Sequence, residues 1–145
     1  MTDILLDNAQ KIVAAAIAFG REKNLKKLAV AVLDSRGALK AYGAEDGTSL
    51  KRGEVAIGKA MAALGFGVGT RTINKMAQDR PFFVTSVAAS IGGPFVPVPG
   101  GVLVKDKAGA VIGAVGISGD LSDNDEAAAL AGIKAAGLDA DPGSD

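Results

Sequence analysis

Residues 102–118 read Val102-Leu-Val-Lys105, Asp106-Lys-Ala-Gly109, Ala110, then Val111-Ile-Gly-Ala-Val-Gly-Ile-Ser118. Two apolar runs flank a four-residue turn with Asp first and Gly fourth, the positions each favours. The same device stands earlier at Asp34-Ser-Arg-Gly37, between apolar residues 28–34 and a returning run at 38–44. Matching turns between adjacent runs predict two hairpins, and hence an antiparallel sheet rather than a doubly wound parallel one. Gly113 and Gly116 fall inside the last run. Glycine weakens a strand and marks a close backbone approach; these two face opposite sides, so something packs closely against both. Residues 28–34 are apolar on both faces, with Leu28, Val30 and Val32 on one and Ala29, Ala31 and Leu33 on the other, which predicts a doubly covered central strand.

The rest of the chain reads mainly as helix. Leu5, Ala9, Ile12, Ala16 and Phe19 form one stripe of a helix over 3–24. A second helix, capped by Thr48 or Ser49, runs to about Leu64 and ends at Gly65 and Gly67. Ala56, Ala60 and Ala63 give it a small-residue stripe that lets another backbone come near. A short helix starts at Thr70 or Thr72 and reaches Asp79, where Arg80-Pro81 breaks it. Residues 82–100, with Gly92-Gly93-Pro94 inside, read as a long loop with a turn of helix near 84–89. Asp123 and Glu126 make a capping box for a last helix through Ala136. The expected organisation is one domain over residues 1–138 with a frayed polar tail at 139–145.

The 145 residues have a net charge of +0, 48% hydrophobic residues, no histidine and no cysteine. That composition is globular. No basic run or aromatic platform suits nucleic acid, which is not an expected partner. No apolar run approaches the length that spans a bilayer, so no membrane partner is expected either. A secretory leader pattern is missing and Met1 leads straight into helix-compatible sequence; a cytoplasmic location is the default expectation. Without His and Cys, most metal-ligand and thiol chemistry is gone, and no metal site is expected.

Lys59 is the sharpest candidate. Its helical neighbours are Val55, Ala56, Ala62 and Ala63, with Arg52 two turns earlier on the same face. A lysine in an apolar field is a base of lowered pKa or an anion anchor; alternatively its stem lies on apolar surface and its ammonium reaches water. Asp46, just ahead of this helix, is the acid–base candidate; Asp34 and Asp125 read more simply as a turn former and a residue suited to the helix dipole. Gly100, Gly101, Ser118 and Gly119 offer backbone N–H groups near a helix start, which either hold an anion or serve close packing between subunits.

Val32-Leu-Asp-Ser-Arg-Gly37, Glu45-Asp-Gly47, Lys59-Ala60, Pro99-Gly-Gly-Val102 and Gly113-Ala-Val-Gly-Ile-Ser-Gly119 with Asp125 together resemble the GlcG/HbpS-like family, also called the haem-degrading domain family. The resemblance runs over roughly residues 4–137. It implies an α+β, profilin-like domain with an antiparallel sheet of about five strands and flanking helices, assembled as dimers or larger rings. Haem in the family's haem-binding members is typically associated with histidine. Here only Met1, Met61, Met76 and Tyr42 stand as donors, so the expectation is no cofactor. The leading functional reading is a binding protein or enzyme of a catabolic pathway for a small anionic organic compound. Lys59 and Arg52 would attract the anion, Gly100-Gly101 would close over it and Asp46 would move a proton. Any catalysis would be metal-free acid–base chemistry of the isomerase or lyase type. The alternative is a tetrapyrrole (haem or corrinoid) binding module without catalysis of its own. Either way a homo-oligomer is expected.

Overall fold

The computed structural model describes residues 3–145. Its elements are α1 (Leu6–Glu22), β1 (Ala29–Asp34), β2 (Leu39–Ala44), α2 (Arg52–Phe66), α3 (Thr70–Asp79), α4 (Pro81–Ile91), β3 (Gly101–Lys105), β4 (Val111–Ser118), α5 (Ser122–Ala135) and β5 (Asp139–Asp141). The strands form one antiparallel sheet in the order β2-β1-β4-β3-β5. This is an α+β fold.

Both hairpins form for the same local reason. The Asp34 carboxylate accepts the N–H groups of Arg36 and Ala38 at 2.9 and 3.0 Å. The Asp106 carboxylate accepts those of Ala108 and Ala110 at 3.0 and 2.9 Å. Gly37 and Gly109 take φ of 90° and 89°, a conformation that favours glycine. Each turn therefore satisfies much of its own backbone locally, and in the first Asp3 adds bonds from the Ser35 N–H and hydroxyl.

β1 is buried along its whole length. Leu28, Val30 and Val32 pack with Ile12, Ala16 and Ile133 of α1 and α5 on one face. Ala29 and Ala31 meet Ala56, and Leu33 meets Ala60 and Ala63, on the α2 face. The division of sizes matters. Bulky residues fill the space under α1 and α5, while alanines and glycines let α2 lie almost on the sheet. A Cβ at Gly116 would fall on the Ala56 carbonyl, and one at Gly113 would press on Ile4 from the other side.

Five details differ from the sequence reading. The 82–100 segment is not mostly loop: Pro81 opens α4, a position where its missing N–H costs nothing. α2 begins at Arg52, and neither Thr48 nor Ser49 caps it. Gly65 lies inside α2, and Gly67, at φ 73°, ends it. The capping box also does not form: Asp123 and Glu126 instead bind the Arg71 guanidinium. Finally, residues 139–141 are no frayed tail. They pair with β3, and Pro142 and Ser144 then hydrogen-bond to Arg71 and Thr72 at the start of α3.

Candidate functional site

β1 and β4 pair with Ala29 opposite Ser118. The chain entering β1 therefore runs beside the chain leaving β4, and the start of α2 faces both. A cleft of about 370 Å³ lies between these three segments, lined by Leu25, Lys26, Lys27, Gly47, Thr48, Ser49, Arg52 and Gly119. Three of the lining residues are cations and none is an acid. Among the described residues no ion pair engages Lys26, Lys27 or Arg52. Arg52 Nη1 donates to Ser118 Oγ at 3.2 Å, which aims the guanidinium from α2 toward the end of β4. Gly119 has φ 154°, and a Cβ there would strike the Lys27 carbonyl; only glycine lets the two walls meet. Unneutralised cations around a concave, partly enclosed space focus positive potential and select anions.

A second cavity of about 280 Å³ touches the same end of α2. It is lined by Leu39, Tyr42, Leu50, Gly53, Glu54 and Ile57. The Tyr42 phenol lies against Gly53, where a side chain would displace it.

Lys59 neither snorkels nor lies in a purely apolar field. It is 2% exposed. Its ammonium donates to the Ile117 carbonyl at 2.9 Å and to Asp125 Oδ2 at 3.0 Å. Burial pulls the Lys59 pKa below its usual range, against the pull of the Asp125 charge. Burial likewise pushes the Asp125 carboxyl up, against the Lys59 charge and the Asp120 N–H. Asp125, read from sequence as a helix-dipole residue, is thus the partner of Lys59.

The predicted residues divide into two groups. Arg52, Ser118 and Gly119 come together at the basic cleft. Lys59, Gly100 and Gly101 come together beneath it: a Cβ on Gly100 would lie 2.9 Å from Lys59 Nζ, and one on Gly101 would hit the Lys59 carbonyl. The Gly101 N–H donates to Thr70 Oγ1 at 2.8 Å, so the pair packs inward and does not border the cleft. Asp46 is exposed and engages neither Lys59 nor Arg52. The neighbouring Glu45 has the structural role, accepting the Leu28 N–H at 2.7 Å and pairing with Arg21 at 2.7 Å. Sequence reasoning missed Lys26 and Lys27. Their signal was a dibasic pair directly ahead of the central strand, legible only once the β1–β4 register is known. The Ala56, Ala60 and Ala63 stripe is fully buried against the sheet of the same chain, so it does not call for a second subunit.

Among the described residues no group of three or more acidic, His or Cys side chains could hold a metal ion, and no helix is long and apolar enough to cross a membrane. Fold and cleft together define an α+β domain with a cation-lined cleft at one end of its sheet. The family model for HbpS-like haem-degrading proteins matches residues 4–134, and the chain belongs to that family. Its fold is similar to that of PduOC, solved as a haem complex, at 20% identity and TM-score 0.84, covering 95% of this chain and 98% of that one. It is similar to Klebsiella pneumoniae ORFY at 23% identity and TM-score 0.83, covering 94% and 92%. A double mutant of Streptomyces reticuli HbpS matches at 26% identity and TM-score 0.80, covering 92% and 87%. No curated protein matches the chain significantly.

Proposed function

We propose that this chain is a binding module for a carboxylate-bearing tetrapyrrole, without catalysis of its own, and that the basic cleft anchors the carboxylates. The observation that carries this reading is the set of Lys26, Lys27 and Arg52 around one cleft with no lining acid. Family membership supports haem as the member of that class, and PduOC is a relative in fold solved with haem. The residues present fit the propionates of haem better than its iron. The sequence has no His and no Cys. Met61 packs against Leu33, Ala60 and Ala63, and Met76 against Ala62, Ile73 and Val84. Met1 lies outside the described residues, and among those described Tyr42 is the exposed donor, at the rim of the second cavity. Bound haem would supply iron chemistry; what this chain supplies is charge, through Lys26, Lys27 and Arg52. A homo-oligomer belongs to this reading, supported by exposed Leu39, Tyr42 and Leu50 around edge strand β2.

A smaller organic carboxylate is the second reading, favoured by the size of the cleft. It gains no base from Lys59, whose ammonium is enclosed with Asp125.

Titration with haemin, iron-free protoporphyrin IX and succinate tests these readings. Haemin and protoporphyrin should bind with similar affinity, and added salt should weaken both. Arg52→Met should weaken both by about tenfold or more, the worth of one charge-assisted hydrogen bond. Haemin binding with a six-coordinate low-spin spectrum while protoporphyrin fails to bind would make iron the anchor and overturn the proposal. Succinate binding without either porphyrin would establish the second reading.

A further inference from the structure

The cleft residues do not hold themselves in place. Both walls are tied to one short turn segment, residues 117–120, made of the last two residues of β4 and the first two of its link to α5. From this turn Ser118 Oγ accepts Arg52 Nη1 at 3.2 Å, and Asp120 Oδ2 accepts the Lys26 N–H at 2.7 Å. The turn itself is held from inside the protein. Lys59 Nζ grips the Ile117 carbonyl at 2.9 Å, and Asp125 Oδ1 accepts the Asp120 N–H at 3.0 Å. Lys59 and Asp125 close the circuit on each other at 3.0 Å, both almost fully buried, and neither lines the cleft. Asn124 Nδ2 adds a 2.7 Å bond that orients the Asp120 carboxylate.

We propose that the buried Lys59–Asp125 pair is the positioning element of the basic cleft, fixing the 117–120 turn from which Arg52 and the Lys26–Lys27 segment are held. A buried pair need not stabilise a fold better than apolar residues of the same size, so stability alone does not explain its presence. What apolar residues could not do is present one donor to the Ile117 carbonyl and one acceptor to the Asp120 N–H on opposite ends of the same turn. The inference rests on the cleft being the binding site only for its functional consequence. Its structural content is testable without any ligand.

The experiment compares wild type with Lys59→Met/Asp125→Leu, which removes the pair without leaving a buried charge. Ile133→Val, on the buried face of α5, is the destabilised control. Amide hydrogen exchange is read at Lys26 and Asp120, with Val30 as the internal reference. Exchange at Lys26 and Asp120 should rise by about tenfold or more in the double variant relative to Val30, as expected when local opening loses a tether. It should stay in step with Val30 in the control. Unchanged relative exchange in the folded double variant would overturn the proposal. Should that variant not fold, Lys59→Met/Asp125→Asn, which keeps an acceptor for the Asp120 N–H and removes the hold on the Ile117 carbonyl, must raise exchange at Lys26 relative to Val30 or the proposal fails. Protoporphyrin IX affinity is then measured on the same proteins. A wild type that binds no porphyrin defeats the functional reading while the exchange result stands on its own. A binding wild type whose double variant binds equally well defeats the inference and leaves the functional reading intact.

Discussion

Removing Lys59 is expected to make stability depend on pH through its buried partner Asp125. Removing the lysine alone leaves Asp125 as an uncompensated buried carboxylate, a change that costs about 3–5 kcal/mol in comparable settings. Burial already pushes the Asp125 carboxyl above 3.8, and loss of the Lys59 charge pushes it further. An acid whose folded pKa is raised contributes stability that is full below its unfolded pKa and lost as pH rises through the folded one. Lys59→Met should therefore lie closest to wild type in acid and reach its full deficit above the raised carboxyl pKa. Urea denaturation of both proteins between about pH 4 and about pH 8 checks this, and a deficit independent of pH would show that Asp125 is not the group left exposed to the loss. From sequence, the lysine was legible as unusual because its helical neighbours are alanine and valine. Its partner was not, because Asp125 is 66 residues away and nothing local pairs the two.

At the scale of elements, legibility follows how local the causes are. Both hairpins could be read because each Asp-x-x-Gly turn satisfies its own backbone. The doubly buried β1 could be read because both faces are apolar. α4 was hidden behind a proline that breaks α3 and opens the next helix. The capping box failed because Arg71, on another helix, recruits both of its acids. β5 was hidden because two aspartates around a lone alanine carry no strand signal; β3 makes the strand by offering an unpaired edge. That edge gives a prediction. Deleting residues 139–145 removes the β3–β5 ladder and the Pro142–Ser144 contacts on α3, while the exposed Lys105–Asp141 and Lys107–Asp139 pairs add little. The truncated chain should lose about 1–3 kcal/mol and associate through the bared edge of β3. Chemical denaturation and light scattering, compared with the intact chain, check the two halves of that statement. An unchanged midpoint and mass would mean that β5 merely rests on the sheet.

Across the whole molecule, the first four strands are two short-range ladders joined by one distant seam, β1 against β4, and β5 adds a short ladder at the β3 edge. The β1–β2 and β3–β4 pairs close over tight turns, whereas the β1–β4 seam brings together Ala29 and Ser118 from opposite ends of the chain. This has a kinetic consequence. Closing a long loop costs entropy before the contacts it allows can repay it, so the seam is the slow step and the hairpins precede it. Truncations at the seam, such as Val32→Ala or Val115→Ala, should slow refolding, while loosening β5 should mainly speed unfolding. Stopped-flow chevrons on these variants separate the two limbs. The cleft lies at one end of that seam, so its walls cannot meet until the slowest event in folding is over.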